Sequence, residues 1–596
     1  MNMLEKILSI NKKSDYDFRK FAFPNDEFSY LFEDWVPYYR MKYSLGKAIQ
    51  PRSILEIGVR YGYSAITFLE SSPEATYLGI DNNSDKFGGS EGAIEWAKII
   101  TDSYKVNFLI ADTQQMTSFP GDFYDLIHID GQQDGDGTIH DLELALEKGA
   151  WILLDGFFWS TENMLSSTYF LEKYKRFIEF SCIIPSYAGE LLIKTTPSAR
   201  HILSDRKDRR YSLLKKFYDS DYYLKDCGGY EQFKRNKGIV LEDPRLLTAY
   251  YIADPYQGKK ILDLGCGRGE LPFALARAGG DVTGIDYSAS AIKIARDTFC
   301  NDTGHFNLQF FNDDFLKIIF ENQFDVITAT DFVEHIEPEK LGLMLERIAE
   351  ILAPGGLFIV HTSPNLLYYQ YGYEEKRKLA KQAGSYLPKN PRTFYEDLMH
   401  INEQSPESLQ NSLQEYFKHC TVWTTTLPDP VGSLERDFSL NEIIQCRDIF
   451  AVASHSPIHK EDLLLCISQQ KLDTSQLAVI LSSETIRIQC NKKETLRVNI
   501  VVENRSPERF ISLFPNPVHI SYHWVDNTGN YEVFEGIRTP ITMPLKPSET
   551  RSFTVKIIAP EKSGTYRLQI TLVQEFIFWF EQVLKNLPLS IEVTVL

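Results

Sequence analysis

Two stretches of this chain share one hydrophobic pattern, and a different pattern replaces it near the end. Between residues 51 and about 197, short apolar runs (ILEI, YLGI, YDLIHI, GAWILL) alternate with segments whose apolar positions recur at helical spacing. Between 236 and about 457 the same alternation returns with ILDL, VTGI, FDVITA and GGLFIV. Continuous apolar runs suit strands buried on both faces of a parallel sheet, and the helical segments between them suit crossover connections. Each stretch therefore predicts an α/β, doubly wound domain. Ile178–Ile184 and Leu191–Thr195 predict an antiparallel close to the first sheet, and Thr421–Leu427 with Asp448–Ser454 a close to the second. From about Gln476, TIRIQC, LRVNIVVEN, VHISYHWVD, RSFTVKII and TYRLQITLVQ alternate at period two between polar turns. That pattern predicts an all-β sandwich of seven or eight strands. The expected divisions are 1–198, a linker and lid over 199–235, 236–457, a linker over 458–475, and the sandwich over 476–596.

The two α/β stretches repeat in detail. ILEIGVRYGYS places Glu56 in a strand ahead of Gly58 and Gly62, and ILDLGCGRGE places Asp263 ahead of Gly265, Gly267 and Gly269. Asp81 follows Glu56 by 25 residues, and Asp286 follows Asp263 by 23. Asp112 and Asp314 end the next runs, then Asp130 and Asp331, and finally Asp155 and His361, each six residues after a glycine. A glycine-rich turn between a strand and a helix lets backbone N–H groups approach a ligand. An acid at the tip of the next strand suits a ribose diol.

An acid inside the strand, followed by this glycine spacing, resembles the class I S-adenosylmethionine-dependent methyltransferases, a Rossmann-like family, and does so twice. The resemblance implies that Gly265, Gly267 and Gly269 hold the methionine end of the donor, Asp286 its ribose and Asp314 its adenine amine, with Asp263 orienting the turn. It implies the matching roles for Glu56, Gly58, Gly62, Asp81 and Asp112. HIDGQQDGDGTIHDLELAL with LLDGFFW resembles the macrocin-type sugar O-methyltransferases, which implies magnesium on Asp130 and Asp155. That family commonly has a second acid where this chain has Gly156, so Asp134, Asp136 or His140 would have to complete the set. His140 is also a candidate base. Asp331-Phe-Val-Glu334-His335 resembles the ubiquinone-type O-methyltransferases and implies either a metal on Asp331, Glu334 and His335 or a base at His335. His361 and His400 are the other candidate bases. YYLKDCGGYEQF resembles the segment before the catalytic core in methyltransferases of polysaccharide clusters, and implies a lid over the donor. SYHWVDNTGNYEVFEGIRTPI resembles the β-sandwich of polysaccharide-export and glycan-modifying proteins.

Composition narrows the partners. The formal charge of −18 disfavours nucleic acid, whose phosphates need clustered Lys and Arg. No run of 18 uncharged apolar residues occurs, and the eight cysteines are scattered without a CxxC pair, so a reduced, cytoplasmic chain without membrane insertion is expected. The expected function is a bifunctional methyltransferase acting on hydroxyls of a sugar or bacterial surface glycan, possible as a homo-oligomer. The alternatives are a tailoring enzyme for a glycosylated or polyhydroxylated natural product, and one active domain beside a non-catalytic recognition module.

Overall fold

The computed structural model describes residues 2–85, 89–200, 202, 214–300 and 306–596. The linker helix expected over Ala199–Leu214 lies mostly outside the described residues. Two compact units account for the chain: residues 1–214 with 373–400, and residues 215–372 with 401–596.

In the first unit, β1 (Ser53–Ile57), β2 (Thr76–Asp81), β3 (Lys105–Ile110), β4 (Tyr124–Ile129), β5 (Gly149–Leu154), β6 (Ile178–Ile184) and β7 (Glu190–Thr195) form one sheet in the order β3-β2-β1-β4-β5-β7-β6. Five strands run parallel, and β7 is antiparallel to both neighbours. Ile54, Leu55, Leu126, Ile127, Ile152 and Leu153 are fully buried, as strands covered on both faces require. The chain order reverses between β1 and β4, which opens a crevice at the strands' carboxyl ends. Asp81, Asp112, Asp130 and Asp155 all stand at that edge, at or within two residues of a strand end. The helix Phe32–Ile49 supplies Tyr38, Tyr39 and Lys42, all buried.

The second unit repeats the plan. β8 (Lys260–Leu264), β9 (Asp281–Asp286), β10 (Leu308–Asn312), β11 (Phe324–Thr330), β12 (Leu352–Thr362), β13 (His419–Thr425) and β14 (Asp448–Ser454) take the order β10-β9-β8-β11-β12-β14-β13. Both sheets are therefore the doubly wound type expected, each with an antiparallel end.

Two features depart from the expected divisions. Residues 373–400 follow β12 in sequence, yet they pack in the first unit. There the Tyr169 hydroxyl donates to the carbonyls of Asn390 and Arg392 at 2.9 and 3.0 Å, and Phe394 packs edge-on against Phe177. The β-rich region, by contrast, belongs to the second unit. Its strands from Val479–Ser482 to Leu589–Val595 make a three-stranded sheet facing a larger one, with Trp524, Leu568 and Ile570 buried between. Ile511 of this region is fully buried in the core that also holds Ala249, Ile252 and Ile467. Tyr251 donates to the Thr542 carbonyl at 2.7 Å, and Lys546 pairs with Asp254 at 2.7 Å. The sandwich thus shares a core with the α/β part rather than hanging from a linker. Among the described residues, no helix is long and apolar enough to cross a membrane.

Candidate functional site

The first-unit turn is built by its glycines and by Asp81. Gly58 has φ +81°, and a Cβ there would lie 2.1 Å from the Asp130 carbonyl oxygen, so only glycine fits where β1 passes the end of β4. Gly62 stands at the start of the helix Tyr63–Ser71. Asp81 Oδ2 accepts from the N–H groups of Val59 and Arg60 at 2.7 and 2.9 Å, and its Oδ1 accepts from Asn83 N–H at 2.6 Å. This carboxylate is what closes the turn. Around it lies a cavity of about 170 Å³ lined by Gly58, Asp81, Asp112 and Asp130, together with Tyr39, Arg60, Tyr61, Tyr63 and Gln114. Asp112 also caps the following turn by accepting from Gln114 N–H at 3.0 Å. Glu56 does not line the cavity. It is buried beneath it, where Tyr77 donates to Oε2 and His128 Nδ1 lies 3.0 Å from Oε1. Burial pushes Glu56 up to about 8, against the pull of Tyr77 and Lys42.

Asp130 and Asp155 face one another. Burial, then the Asp155 charge, raises Asp130 well above the usual carboxylate range. Burial would raise Asp155 too, but Lys42, His128 and the Tyr38 hydroxyl hold it below its ordinary value. The pair therefore takes up one proton, on Asp130. Tyr38 donates to Asp155 Oδ1 at 2.9 Å, and Lys42 Nζ lies 3.7 Å from the same oxygen.

The other residues expected to complete a magnesium site turn elsewhere. Asp134 Oδ1 accepts from Gly137 N–H at 2.9 Å. Asp136 accepts from the Tyr386 hydroxyl at 2.6 Å, from Lys389 N–H at 3.1 Å and from Arg377 at 2.7 Å. His140 Nε2 lies 2.9 Å from the Thr113 carbonyl, to which it can only donate, so this nitrogen is not available to take a proton. A buried ammonium already stands beside Asp155, and Gly156 supplies no ligand. The residues present do not fit a dication bound by Asp130 and Asp155.

The second-unit turn uses the same device. Asp286 Oδ2 accepts from Gly267 N–H at 3.0 Å, and Oδ1 accepts from Ser288 N–H at 2.7 Å. Burial pushes Asp286 up to about 6. Gly267 has φ +52°, and a Cβ there would meet only Tyr223, at 3.7 Å, so the turn has room for a ligand under that ring. Gly265 also has positive φ, and Gly269 caps the helix Glu270–Arg277. Asp263 lies beneath, accepting from Thr328 at 2.5 Å, and burial pushes it up to about 7. Asp314 caps its own turn by accepting from Leu316 N–H at 3.2 Å.

A segment ahead of this domain covers the turn. Arg268 donates to the carbonyls of Tyr223 and Gly228 at 2.7 Å each, and Ser288 Oγ donates to the Tyr218 carbonyl at 2.7 Å. The Tyr218 hydroxyl lies 3.0 Å from His335 Nδ1.

Asp331, Glu334 and His335 do not converge as a ligand set. Among the described residues they are not a group with donor atoms within 4.8 Å of one another. Asp331 has φ +51°, which turns its side chain toward Arg245 and His361. Glu334 is buried and accepts from Thr362 at 2.9 Å. His361 is fully buried between two acids, with Nδ1 2.6 Å from Asp331 and Nε2 3.2 Å from Asp448. Burial alone would lower it, but the two carboxylates raise it to about 9. It is therefore protonated at neutral pH, with no lone pair left to act as a base.

Sequence reasoning missed Lys42, Tyr38, Glu190, Arg245 and Asp448. The one local hint was Tyr38 with Lys42, four residues apart on a helix face otherwise buried.

Residues 55–156 match a family model described as a methyltransferase domain, and residues 261–356 match another with the same description. The chain is similar to ubiquinone biosynthesis O-methyltransferase of Psychrobacter arcticus, 37% identical over 109 residues, or 18% of this chain and 41% of that protein. The same enzyme of Coxiella burnetii is 35% identical over 119 residues, 19% of this chain and 48% of that protein. The chain thus spans less than half the length of these curated relatives. Among solved structures, the N-methyltransferase NodS of Bradyrhizobium japonicum, in complex with S-adenosyl-L-homocysteine, is 15% identical; the match covers 41% of this chain and 98% of that one, at a TM-score of 0.26. Two stretches of one sequence, each seated on its own seven-stranded sheet, match the same description, and the chain carries two methyltransferase domains in tandem.

Proposed function

We propose that this protein is a bifunctional S-adenosylmethionine-dependent O-methyltransferase that modifies hydroxyl groups of a sugar or surface glycan. The observation that carries the reading is the device found twice, a glycine turn whose N–H groups are held by the acid at the end of the next strand. A donor at these turns is supported by two observations: Gly58, Asp81 and Asp112 line a cavity in one domain, and in the other the turn at Gly267 is open except for one tyrosine ring. When bound, the sulfonium supplies an electrophilic methyl group. The residues would hold its ribose at Asp81 or Asp286 and would exclude water with Tyr39, Tyr61 and Tyr63, or with Tyr218 and Tyr223.

Alignment of donor and acceptor can supply roughly 7–11 kcal/mol, and a base only about 10²–10⁴-fold in rate. The acceptor hydroxyl would give up its proton as its oxygen bonds the methyl carbon and the methyl–sulfur bond breaks, leaving a neutral thioether. In the first domain the Asp130–Asp155 pair at the cavity wall is the group best placed to receive it, at Asp155, the member that stays ionised. In the second domain it is His335.

The relatives' printed activity supports transfer to oxygen. A sugar acceptor is supported by the aromatic cluster of the sandwich. There Tyr531 and Phe534 are exposed around His523 and Trp579, with Arg538 stacked over the Trp579 ring at 4.9 Å. Such faces suit sugar C–H surfaces. Mass spectrometry of glycans from cells with and without the gene tests the acceptor. The expected result is loss of one-methyl increments from specific sugars. Unchanged glycans beside an altered lipid quinone would overturn the glycan assignment.

A further inference from the structure

The first-domain site carries a cation of its own. Lys42 is fully buried, and its Nζ lies 2.9 Å from His128 Nε2, 3.5 Å from Glu190 Oε1 and 3.7 Å from Asp155 Oδ1. His128, Asp155 and Glu190 also bring one donor atom each within 4.8 Å of one another, the spacing a metal ion would use. The ammonium lies close to all three. Lys42 further donates to the Tyr38 hydroxyl, which in turn donates to Asp155, and it reaches Ser64 Oγ at 3.3 Å. Because His128 Nε2 must accept from the ammonium, its Nδ1 carries the hydrogen and points it at Glu56. One lysine thus organises two hydrogen-bonded chains, one to Asp155 and one to the strand acid beneath the glycine turn.

A magnesium ion on Asp155, at the usual distance of about 2.1 Å, would share that carboxylate with a buried ammonium. Two cations so close in a low-dielectric interior repel strongly. The lysine cannot swing aside easily, since the Tyr38 and Tyr39 rings pack against its Nζ at 4.2 and 5.8 Å.

We propose that the Lys42 ammonium is the resident cation of the first methyltransferase domain, fixing Asp155, and through it Asp130 at the cavity wall, without a divalent metal. Lys42 is a positioning residue: it touches the carboxylate and not the reacting atoms. The proposal rests on the methyltransferase reading above, but its test reads metal binding and not turnover.

The experiment is a Mn²⁺ titration of the full chain, followed by electron paramagnetic resonance, for the wild type, Asp155→Asn and Lys42→Met. The wild type is expected to hold no Mn²⁺ that Asp155→Asn removes. Lys42→Met keeps the side chain's length without its charge and opens the three donors, so it should bind Mn²⁺ at least tenfold more tightly than the wild type. A merely structural lysine would give no such gain. A wild-type Mn²⁺ site lost in Asp155→Asn would overturn the proposal, and so would a folded Lys42→Met that gains nothing. Should Lys42→Met not fold, the comparison of wild type with Asp155→Asn still decides. S-adenosylmethionine titration of the Asp286→Ala chain, which keeps only the first-domain donor site, with and without EDTA, reads the donor assignment separately. Absence of donor binding there would sink the methyltransferase reading of this domain and leave the metal result standing.

Discussion

Asp286→Ala should remove one of the chain's donor-binding events and leave the other intact, and Asp81→Ala should do the reverse. Each carboxylate would accept from the donor ribose, and hydrogen bonds to a charged group are worth about 1.5–3 kcal/mol apiece. Losing one such bond weakens binding about ten- to a hundredfold, and losing both takes it beyond an ordinary titration. The structure adds a second loss. Asp286 also holds Gly267 N–H and Ser288 N–H, and Asp81 holds the N–H groups of Val59, Arg60 and Asn83, so alanine loosens the turn as well as the ligand. Burial pushes Asp286 up to about 6. Donor affinity in the second domain should therefore fall as pH drops through about 6, when the acceptor becomes a neutral acid. Calorimetric titration of each variant with S-adenosylhomocysteine reads both effects. Unchanged affinity at both sites in Asp286→Ala would show that the second pocket is misplaced.

The second large effect concerns stability and runs the other way with pH. His361 is raised to about 9 by Asp331 and Asp448, against about 6.5 in an unfolded chain. Its folded pKa lies above its unfolded one, so its contribution is fully present below about 6.5 and is lost as pH rises through about 9. A shift of this size corresponds to roughly 3 kcal/mol. The same interaction holds Asp331 low, so the two are one contribution and do not add. The second unit should lose about that much stability between pH 6.5 and 9.5. Removing the Asp331 carboxylate should be comparably costly, about 3 kcal/mol, because His361 would keep a buried charge and the partly exposed Arg245 would lose a partner. The measurement is a urea titration read by pulsed hydrogen exchange on the peptide covering 352–362. A midpoint that stays flat or rises over that pH range would mean that His361 is neutral in the fold.

Much of this architecture was legible because a parallel strand buried on both faces writes itself as an apolar run, and its carboxyl end as a glycine or an acid. The strand-end series from Glu56 to Asp155 and from Asp263 to His361 was visible for that reason, and all ten residues do stand in or beside the carboxyl ends of the strands they mark. What each side chain does there was much less legible. Asp331 looked like the start of a metal motif, yet its left-handed backbone hands it to Arg245, 86 residues away in sequence. His361 looked like a base until Asp448, from another strand, closed on its far nitrogen. Lys42 sits in a helix ahead of the first strand and meets His128, Asp155 and Glu190 only through the fold. No spacing in the sequence announces such convergence. The excursion of residues 373–400 into the first unit was hidden for the same reason: Arg377 and Tyr386 find Asp136 only after both regions have folded.

The central claim is that one chain holds two donor sites of the same construction. The most direct measurement is the stoichiometry of S-adenosylmethionine binding to the full-length wild type by calorimetry, repeated on the Asp81→Ala, Asp286→Ala double variant. The account predicts two molecules bound per wild-type chain and none by the double variant. One molecule per wild-type chain, or two that survive the loss of both acids, would contradict it.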